Sequence, residues 1–275
     1  MKLFFLGTGA AEGMPALFCN CAVCANARQN GGRDKRFRTG VLVDNIVRID
    51  LPPDALAQVQ AYPRLPLCDL EYLLFTHTHD DHFAARELQY LSPNFAPCRT
   101  APLRIWGTEQ CTERIRTLMG KFFEPAPVAL CAVTPFETYP VAHLAVTPIA
   151  AHHKRDETCL NYLLTDPGTG VTVLYASDTG WYGAETWAFL AGRRLDAVIL
   201  ECGLGVMESG YDGHMTLAGC AAFREKLIGG NGLAPNAPFY LTHVSHTGLL
   251  NHDELAERAA PHGMCVAYDG LEITV

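Results

Sequence analysis

The sequence predicts an α/β fold of the α+β kind, in which two β-sheets lie face to face and helices cover their outer faces. Three observations point there. Short, β-rich apolar runs recur along the whole chain, each closed by a polar or glycine-containing segment. In each half, stretches that read as strands come first and helical stretches later. No internal repeat, low-complexity tract or domain-separating linker interrupts the 275 residues, so residues 1–275 are expected to form one domain. A hydrophobic fraction of 49% against 18% charged residues supplies ample material for the core.

The elements follow in order. Residues 2–6 read as an opening strand, and Gly7-Thr8-Gly9-Ala10-Ala11-Glu12-Gly13 as a tight loop. Its G-x-G resembles the start of a dinucleotide fingerprint. Pro15 and a cysteine cluster stand where that fingerprint needs a phosphate-binding helix, so a close-packed turn is the better reading. Cys19-Asn20-Cys21-Ala22-Val23-Cys24 then falls in a segment read as polar and irregular, ending near Gly31-Gly32. Residues 38–43 and 46–49 form a hairpin turning at Asp44-Asn45, with Asp50 at its end. Pro52-Pro53 opens a short helix over 54–61.

Tyr72-Leu73-Leu74-Phe75 is a short buried strand, and 83–91 carries Phe83, Leu88 and Leu91 at helical spacing. Residues 103–107 make another strand, after which Thr108 caps a helix over 109–119. The Pro-rich stretch 121–145 yields no assignment. Residues 144–149 form a strand running into Ala150-Ala151-His152-His153. A hairpin joins 161–165 to 171–176, and the second arm ends in Ser177-Asp178-Thr179. An apolar run over 197–200 ends at Glu201, a helix spans 216–227, and a strand over 239–242 ends at His243. Asn251 or Asp253 caps a last helix to Ala259, and 273–275 closes the chain.

Composition excludes several functions. A formal charge of −8 leaves no basic surplus to neutralise phosphates, so nucleic acid is not expected as a partner, although a small phosphate ester remains open. No secretory signal is expected from the brief apolar run at 3–6, and no run approaches the roughly 18 apolar residues of a membrane span. The 11 cysteines are an odd number, mostly scattered singly in apolar runs, as in buried thiols of a reducing cytoplasm. A cytoplasmic location is expected.

Chemistry concentrates in Thr76-His77-Thr78-His79-Asp80-Asp81-His82, where three imidazoles and two carboxylates follow a buried strand. Such a set suits zinc, manganese or iron rather than calcium, which prefers oxygen alone. Taken singly, Asp178 reads as a turn residue, His153 as a surface residue and His243 as a core histidine. Together with His77 they make four β-rich runs ending in a ligand-type residue, and strand ends can converge at one sheet edge. For the C-x-C-x-x-C cluster the readings are a structural metal, a redox pair or chance. A structural zinc needs four N/S ligands, so Cys19, Cys21 and Cys24 call for a fourth from elsewhere.

The T-H-T-H-D-D-H segment, His153, Ser177-Asp178-Thr179 and Leu241-Thr242-His243 resemble the metallo-β-lactamase superfamily in order and spacing across nearly the whole chain. Gly7-Thr8-Gly9, the cysteine cluster, Thr242-His243-Val244-Ser245-His246 and Tyr268-Asp269-Gly270-Leu271-Glu272 narrow the likeness. They resemble the phosphodiesterases of the carbon–phosphorus lyase pathway, which open a five-membered phosphoribosyl cyclic phosphate.

The resemblance implies a four-layer αββα sandwich. It places one metal on His77, His79 and His153 and a second on Asp81, His82 and His243, with Asp178 between the two. His152 rivals His153, which the spacing to the preceding strand favours. The resemblance further implies two divalent ions, zinc or manganese, and one structural zinc on Cys19, Cys21, Cys24 and His246 in a small loop at about residues 16–36. His214 matches a non-ligand histidine near the scissile phosphate; its alternative is a cap or surface residue ahead of the 216–227 helix. Asp50 matches an acid that orients metal-binding imidazoles. Leu51-Pro52-Pro53 departs from the small turn usual there. Glu157 and Arg155 are candidates for shaping substrate access, and His143, His252 and His262 read as structural or surface residues.

The implied reaction is hydrolysis of a small, cyclic phosphodiester by a hydroxide bridging the ions. Asp81 and Asp178 serve the metal pair, and His214 holds a phosphate oxygen or protonates the leaving alkoxide. A homodimer is compatible with this reading. The rivals are a tRNA 3′-processing nuclease, for which no basic insertion is found, and a non-enzymatic cofactor-biosynthesis relative that keeps only the cysteine zinc.

Overall fold

The computed structural model describes residues 1–63, 67–99 and 101–275. Strands β1 (Lys2–Gly7), β2 (Gly40–Val43), β3 (Val47–Ile49), β4 (Tyr72–Leu74), β5 (Leu103–Gly107) and β6 (Val128–Ala132) lie side by side in chain order. Strands β7 (Tyr139–Val141), β8 (Leu144–Ala150), β9 (Leu160–Thr165), β10 (Thr172–Ala176), β11 (Ala197–Glu201), β12 (Phe239–Thr242) and β13 (Cys265–Val266) build a second sheet the same way. The last strand, β14 (Glu272–Thr274), returns to the first sheet beside β1.

Each sheet starts antiparallel and ends parallel. The first switches at β3–β4 and the second at β10–β11. Tight turns account for the antiparallel halves: Asp44 and Asn45 both take positive φ between β2 and β3, a region Asp and Asn tolerate better than other side chains. Parallel neighbours instead require long crossovers, and they bring successive carboxyl ends to one edge.

Period-two alternation sorts the side chains into layers. Leu3 and Phe5 of β1 face the other sheet and pack with Val41, Ile49, Leu160, Tyr162, Val173 and Ile199. Phe4 and Leu6 face outward, into a layer with Leu73, Ile105 and Leu88. That layer is covered by α3 (Glu109–Met119), which follows α2 (Ala55–Ala61) in the chain and contributes Cys111, Ile115 and Met119. On the second sheet, Val198, Leu200 and Leu241 are covered by Val23 and Ala27 of α1 (Ala22–Asn30), by Leu190 of α4 (Ala184–Leu190), by Phe223 and Leu227 of α5 (Leu217–Gly229) and by Leu255 of α6 (His252–Ala259). The result is the helix–sheet–sheet–helix sandwich that the sequence suggested.

Three local expectations need correction. The cysteine segment is helical over α1, with Cys21 at its N-cap, rather than irregular throughout. Residues Ala85–Leu91 form a 3₁₀ helix, not an α-helix. The unassigned stretch contains β6 and β7, and α4 and β13 also went unread. Gly7 meets its expected close packing, because a Cβ there would stand 2.0 Å from the Arg38 carbonyl oxygen. Among the described residues no helix is long and apolar enough to cross a membrane, and all 11 cysteines are free thiols.

Candidate metal centre

Asp50 organises the loop after β4. Its Oδ1 accepts hydrogen bonds from the Thr76 backbone N–H at 2.9 Å and the Thr76 hydroxyl at 3.0 Å. Its Oδ2 accepts from His82 Nδ1 at 2.7 Å, which leaves Nε2 of that ring facing the site. Asp50, Asp178 and His243 all adopt positive φ (62°, 50° and 52°). Non-glycine residues are uncommon there, and the surroundings must hold them in place. All three terminate strands of the parallel halves or the loops just beyond.

Two groups of donors result, each with its ligand atoms within 4.8 Å of one another. In the first, His77 Nε2 lies 3.3 Å and His153 Nε2 3.8 Å from Asp178 Oδ2, and His153 Nε2 lies 3.0 Å from His79 Nδ1. In the second, His82 Nε2 is 2.8 Å from Asp178 Oδ2 and 3.1 Å from Asp81 Oδ2. There His243 Nε2 is 2.8 Å from Asp178 Oδ1 and 3.5 Å from Asp81 Oδ2. Asp178 thus stands in both groups, one oxygen toward His243 and the other toward His77 and His82. His153 Nδ1 donates to the Gly213 carbonyl at 3.0 Å, which fixes the tautomer and frees Nε2. His152 is turned outward to Asp212, 3.1 Å away, and takes no part.

The donors fit metal ions. Ligands about 2.0–2.1 Å from a tetrahedral ion stand about 3.3 Å apart, the middle of the spread found here. His77 Nε2 and Asp178 Oδ1 are buried and make no hydrogen bond, so their lone pairs converge without satisfying one another. The electrostatics agree. Burial lowers the basicity of His77. For Asp178 burial works the other way, but His243 and His82 outweigh it and hold the carboxyl well below its usual range. Burial likewise opposes charge on His243, yet Asp178 raises that imidazole to about 10. The pocket draws in positive charge, which a divalent cation supplies.

His214 sits beside these groups. Its Nδ1 is 3.2 Å from Glu201 Oε1 and 3.8 Å from Asp178 Oδ1, and its ring stacks on that of His243 at 5.5 Å. It is therefore not simply a helix-capping or surface residue. Burial lowers its basicity, but the hydrogen bond and charge of Glu201 raise it overall. Glu201, fully buried at the end of β11, also accepts from the backbone N–H of Met215 at 2.7 Å and of Gly203 at 2.6 Å. Sequence reasoning noted that strand end without assigning it a role, although it repeats the strand-end pattern of His77, Asp178 and His243. Tyr211 forms a wall nearby, its hydroxyl donating to the His153 carbonyl at 2.9 Å and its ring 5.5 Å from that of His214.

Cys19, Cys21, Cys24 and His246 form a separate group. The Cys19 and Cys21 sulfurs lie 3.6 Å and 3.5 Å from His246 Nδ1. Tetrahedral zinc with bonds of about 2.3 Å to sulfur and 2.0 Å to nitrogen calls for about 3.5 Å. Helix α1 puts Cys21 and Cys24 on one face, three residues apart. The backbone amide of Cys24 draws the Cys21 thiol down to about 6, against burial. His246 Nε2 faces Glu12 Oε1 at 3.4 Å, a carboxylate partner of the kind that orients metal-bound imidazoles and one not read from the sequence. The Ser245 hydroxyl also donates to Glu12.

Two access candidates separate. Arg155 is exposed, whereas Glu157 is buried beneath the loop and bonds to Thr78, so it does not line the mouth. His143 pairs at the surface with Asp44, 3.0 Å away, and His252 is buried against Arg36.

Residues 41–243 match the family described as the Beta-lactamase superfamily domain. An octanoyltransferase of Porphyromonas gingivalis (strain ATCC BAA-308 / W83) is 27% identical over 285 residues, covering 100% of this chain and 52% of that protein. The chain therefore spans about half the length of that relative. A diphosphatase from the PhnP family has a similar structure, with a TM-score of 0.78, 25% identity and coverage of 100% of this chain and 97% of that one. Zn(2+)-bound PqqB from Methylobacterium extorquens shares the fold at a TM-score of 0.76 and 20% identity, over 100% of both chains. With two stacked mixed sheets, donors gathered at strand ends and a family match over most of its length, the chain belongs to the β-lactamase superfamily and has the metallo-β-lactamase fold.

Proposed function

We propose that the chain is a phosphodiesterase that hydrolyses a small, cyclic phosphodiester such as a phosphoribosyl cyclic phosphate with two divalent metal ions. One observation carries the reading: Asp178 belongs to both donor groups while the His214–Glu201 pair stands at their edge. His77, His79 and His153 would hold one ion and Asp81, His82 and His243 the other, with Asp178 a donor to both groups. Zinc or manganese held there would lower the pKa of water toward neutrality and offset phosphodiester charge. An acidic chain can therefore handle an anionic substrate without a cluster of arginines.

His214 is the proton donor. Glu201 holds Nδ1 and favours the protonated ring, leaving Nε2 to bind a phosphate oxygen or protonate the departing alkoxide. Asp81 and Asp178 remain ionised and orient the reacting centre. The likeness to a diphosphatase from the PhnP family supports phosphate ester chemistry. The cysteine cluster with His246 would hold a structural zinc, tying the N-terminal loop to the edge carrying His243. One catalytic domain, a cytoplasmic location and a homodimer complete the proposal, with neither nucleic acid nor membrane as partner.

The test is a substrate panel on metal-reconstituted protein: a cyclic ribosyl phosphate, 2′,3′-cyclic nucleotides, bis(p-nitrophenyl) phosphate and a pre-tRNA. Turnover of the cyclic esters supports the reading. Cleavage of RNA alone overturns it in favour of a nuclease.

A further inference from the structure

We infer that Glu157 is a positioning residue that clamps together the two loops carrying His77, His79 and His153, and so sets the affinity of one metal position selectively. This rests on the two-position metal site proposed above.

Thr78 lies between His77 and His79, yet its hydroxyl bonds to Glu157 and Arg114 rather than joining the donor groups. Its hydroxyl donates to Glu157 Oε2 at 2.7 Å and accepts from Arg114 Nη1 at 2.9 Å. The same Glu157 oxygen accepts from Lys154 Nζ at 3.0 Å. Arg114 also lies 3.7 Å from Asp80, and Lys154 3.6 Å from Asp156, both near the surface. The Glu157 side chain itself is 0% exposed, and its other oxygen is buried without a hydrogen bond. An ionisable side chain is costly to bury, and this one belongs to neither donor group of the site.

Its position in the chain explains what it does. His153 and Glu157 share the connection between β8 and β9, which has no strand ladder of its own. One backbone bond closes it, Ala151 N–H to the Cys159 carbonyl at 2.9 Å, and another ties its end to the metal loop, Leu160 N–H to the Thr76 carbonyl at 2.9 Å. His153 is also held from the far side, by the Gly213 carbonyl and the Tyr211 hydroxyl; the Thr78–Glu157 bond is the side-chain link that joins its connection to the loop of His77 and His79. The other position is held differently. His82 is set by Asp50, and His243 is followed by Val244, which bonds to the Thr8 carbonyl at 2.8 Å. Loosening the clamp therefore affects the first position and spares the second.

The experiment measures metal content and chelator competition on the full chain, using Co²⁺ absorption as a probe of each site. In Glu157→Ala and Thr78→Val the first position should weaken about 10–100-fold, the usual cost of losing a group that supports a metal ligand. Thr78→Ser, which keeps the hydroxyl, should behave as wild type. Added to His153→Ala, where the first position is already broken, Glu157→Ala should change nothing further at the remaining active-site ion. Equal weakening of both positions, or wild-type affinity in both clamp variants, overturns the inference and leaves the two-metal reading standing. A wild-type chain that takes up only the cysteine-bound ion overturns both.

Discussion

Asp178 concentrates the chemistry of this protein in a single residue. Its two oxygens reach imidazoles of both donor groups, His243 in one and His77 in the other, and its backbone sits at a φ of 50° that Asp tolerates but β-branched side chains do not. Removing a donor from the second group, as in Asp81→Ala or His243→Ala, should take one ion and more than about 10²-fold of phosphodiesterase turnover. That loss exceeds the usual effect of groups outside the coordination sphere. Wild-type rate with one ion fewer would refute the two-metal mechanism. His214→Asn should cost about 10²–10⁴-fold in kcat while every ion stays bound, which metal analysis beside steady-state kinetics can check. The donor residues themselves were legible, because histidine and aspartate stand at strand ends in a chain otherwise poor in charge. Glu201 was not singled out, since one acid after an apolar run resembles many strand ends until His214 is seen 3.2 Å away.

Among the elements, capped helices were the easiest to read. The Thr108 hydroxyl accepts from the Cys111 backbone at 3.2 Å, and α3 spans the residues its sequence indicates. Asn251 closes a capping box with Glu254 at the start of α6. Asn251→Ala should therefore cost about 1 kcal/mol, read as a lower urea midpoint with an unchanged slope. The next residue gives a pH dependence. Burial, then the nearby guanidinium groups of Arg36 and Arg33, lower His252 from 6.5 to about 4. Arg36 donates to its Nδ1 at 2.9 Å, so the folded state needs the neutral ring. The unfolded chain therefore binds more protons between these values, and the stability contributed by His252 is complete above pH 6.5 and lost as pH falls toward 4. His252→Gln should flatten that slope in denaturation measured across the range. Strands β6 and β7 escaped notice for a physical reason: β6 is half exposed at a sheet edge and rich in Ala and Cys, and Pro140 interrupts β7. Helix α1 has only a short apolar face, Val23, Cys24 and Ala27, and its Cys21 cap makes no side-chain hydrogen bond.

At the scale of the whole molecule, the active-site donor groups and the cysteine group lie side by side at the edge where the parallel strands end. His243 belongs to one and His246 to the other, separated by a single turn after β12. The reconstituted chain is expected to carry three ions, and Cys21→Ser to carry two, with a lower unfolding temperature and the active-site pair intact. A wild-type stoichiometry of one would instead favour the non-enzymatic relative. The paired halves of antiparallel and parallel strands explain the arrangement, since each half sends its strand ends to the common edge.

The sequence by itself determined the classes of donor, their strand-end positions and the layered α/β architecture, because these depend on local propensity and a two-residue period. Only the tertiary structure decided that His153 rather than His152 joins the site, that Glu201 holds His214 and that Glu157 reaches Thr78 across 79 positions. Such choices follow from strand order and backbone torsions at Asp50, Asp178 and His243, which bring distant segments within hydrogen-bond range. Chain-local periodicity carries no record of those distances.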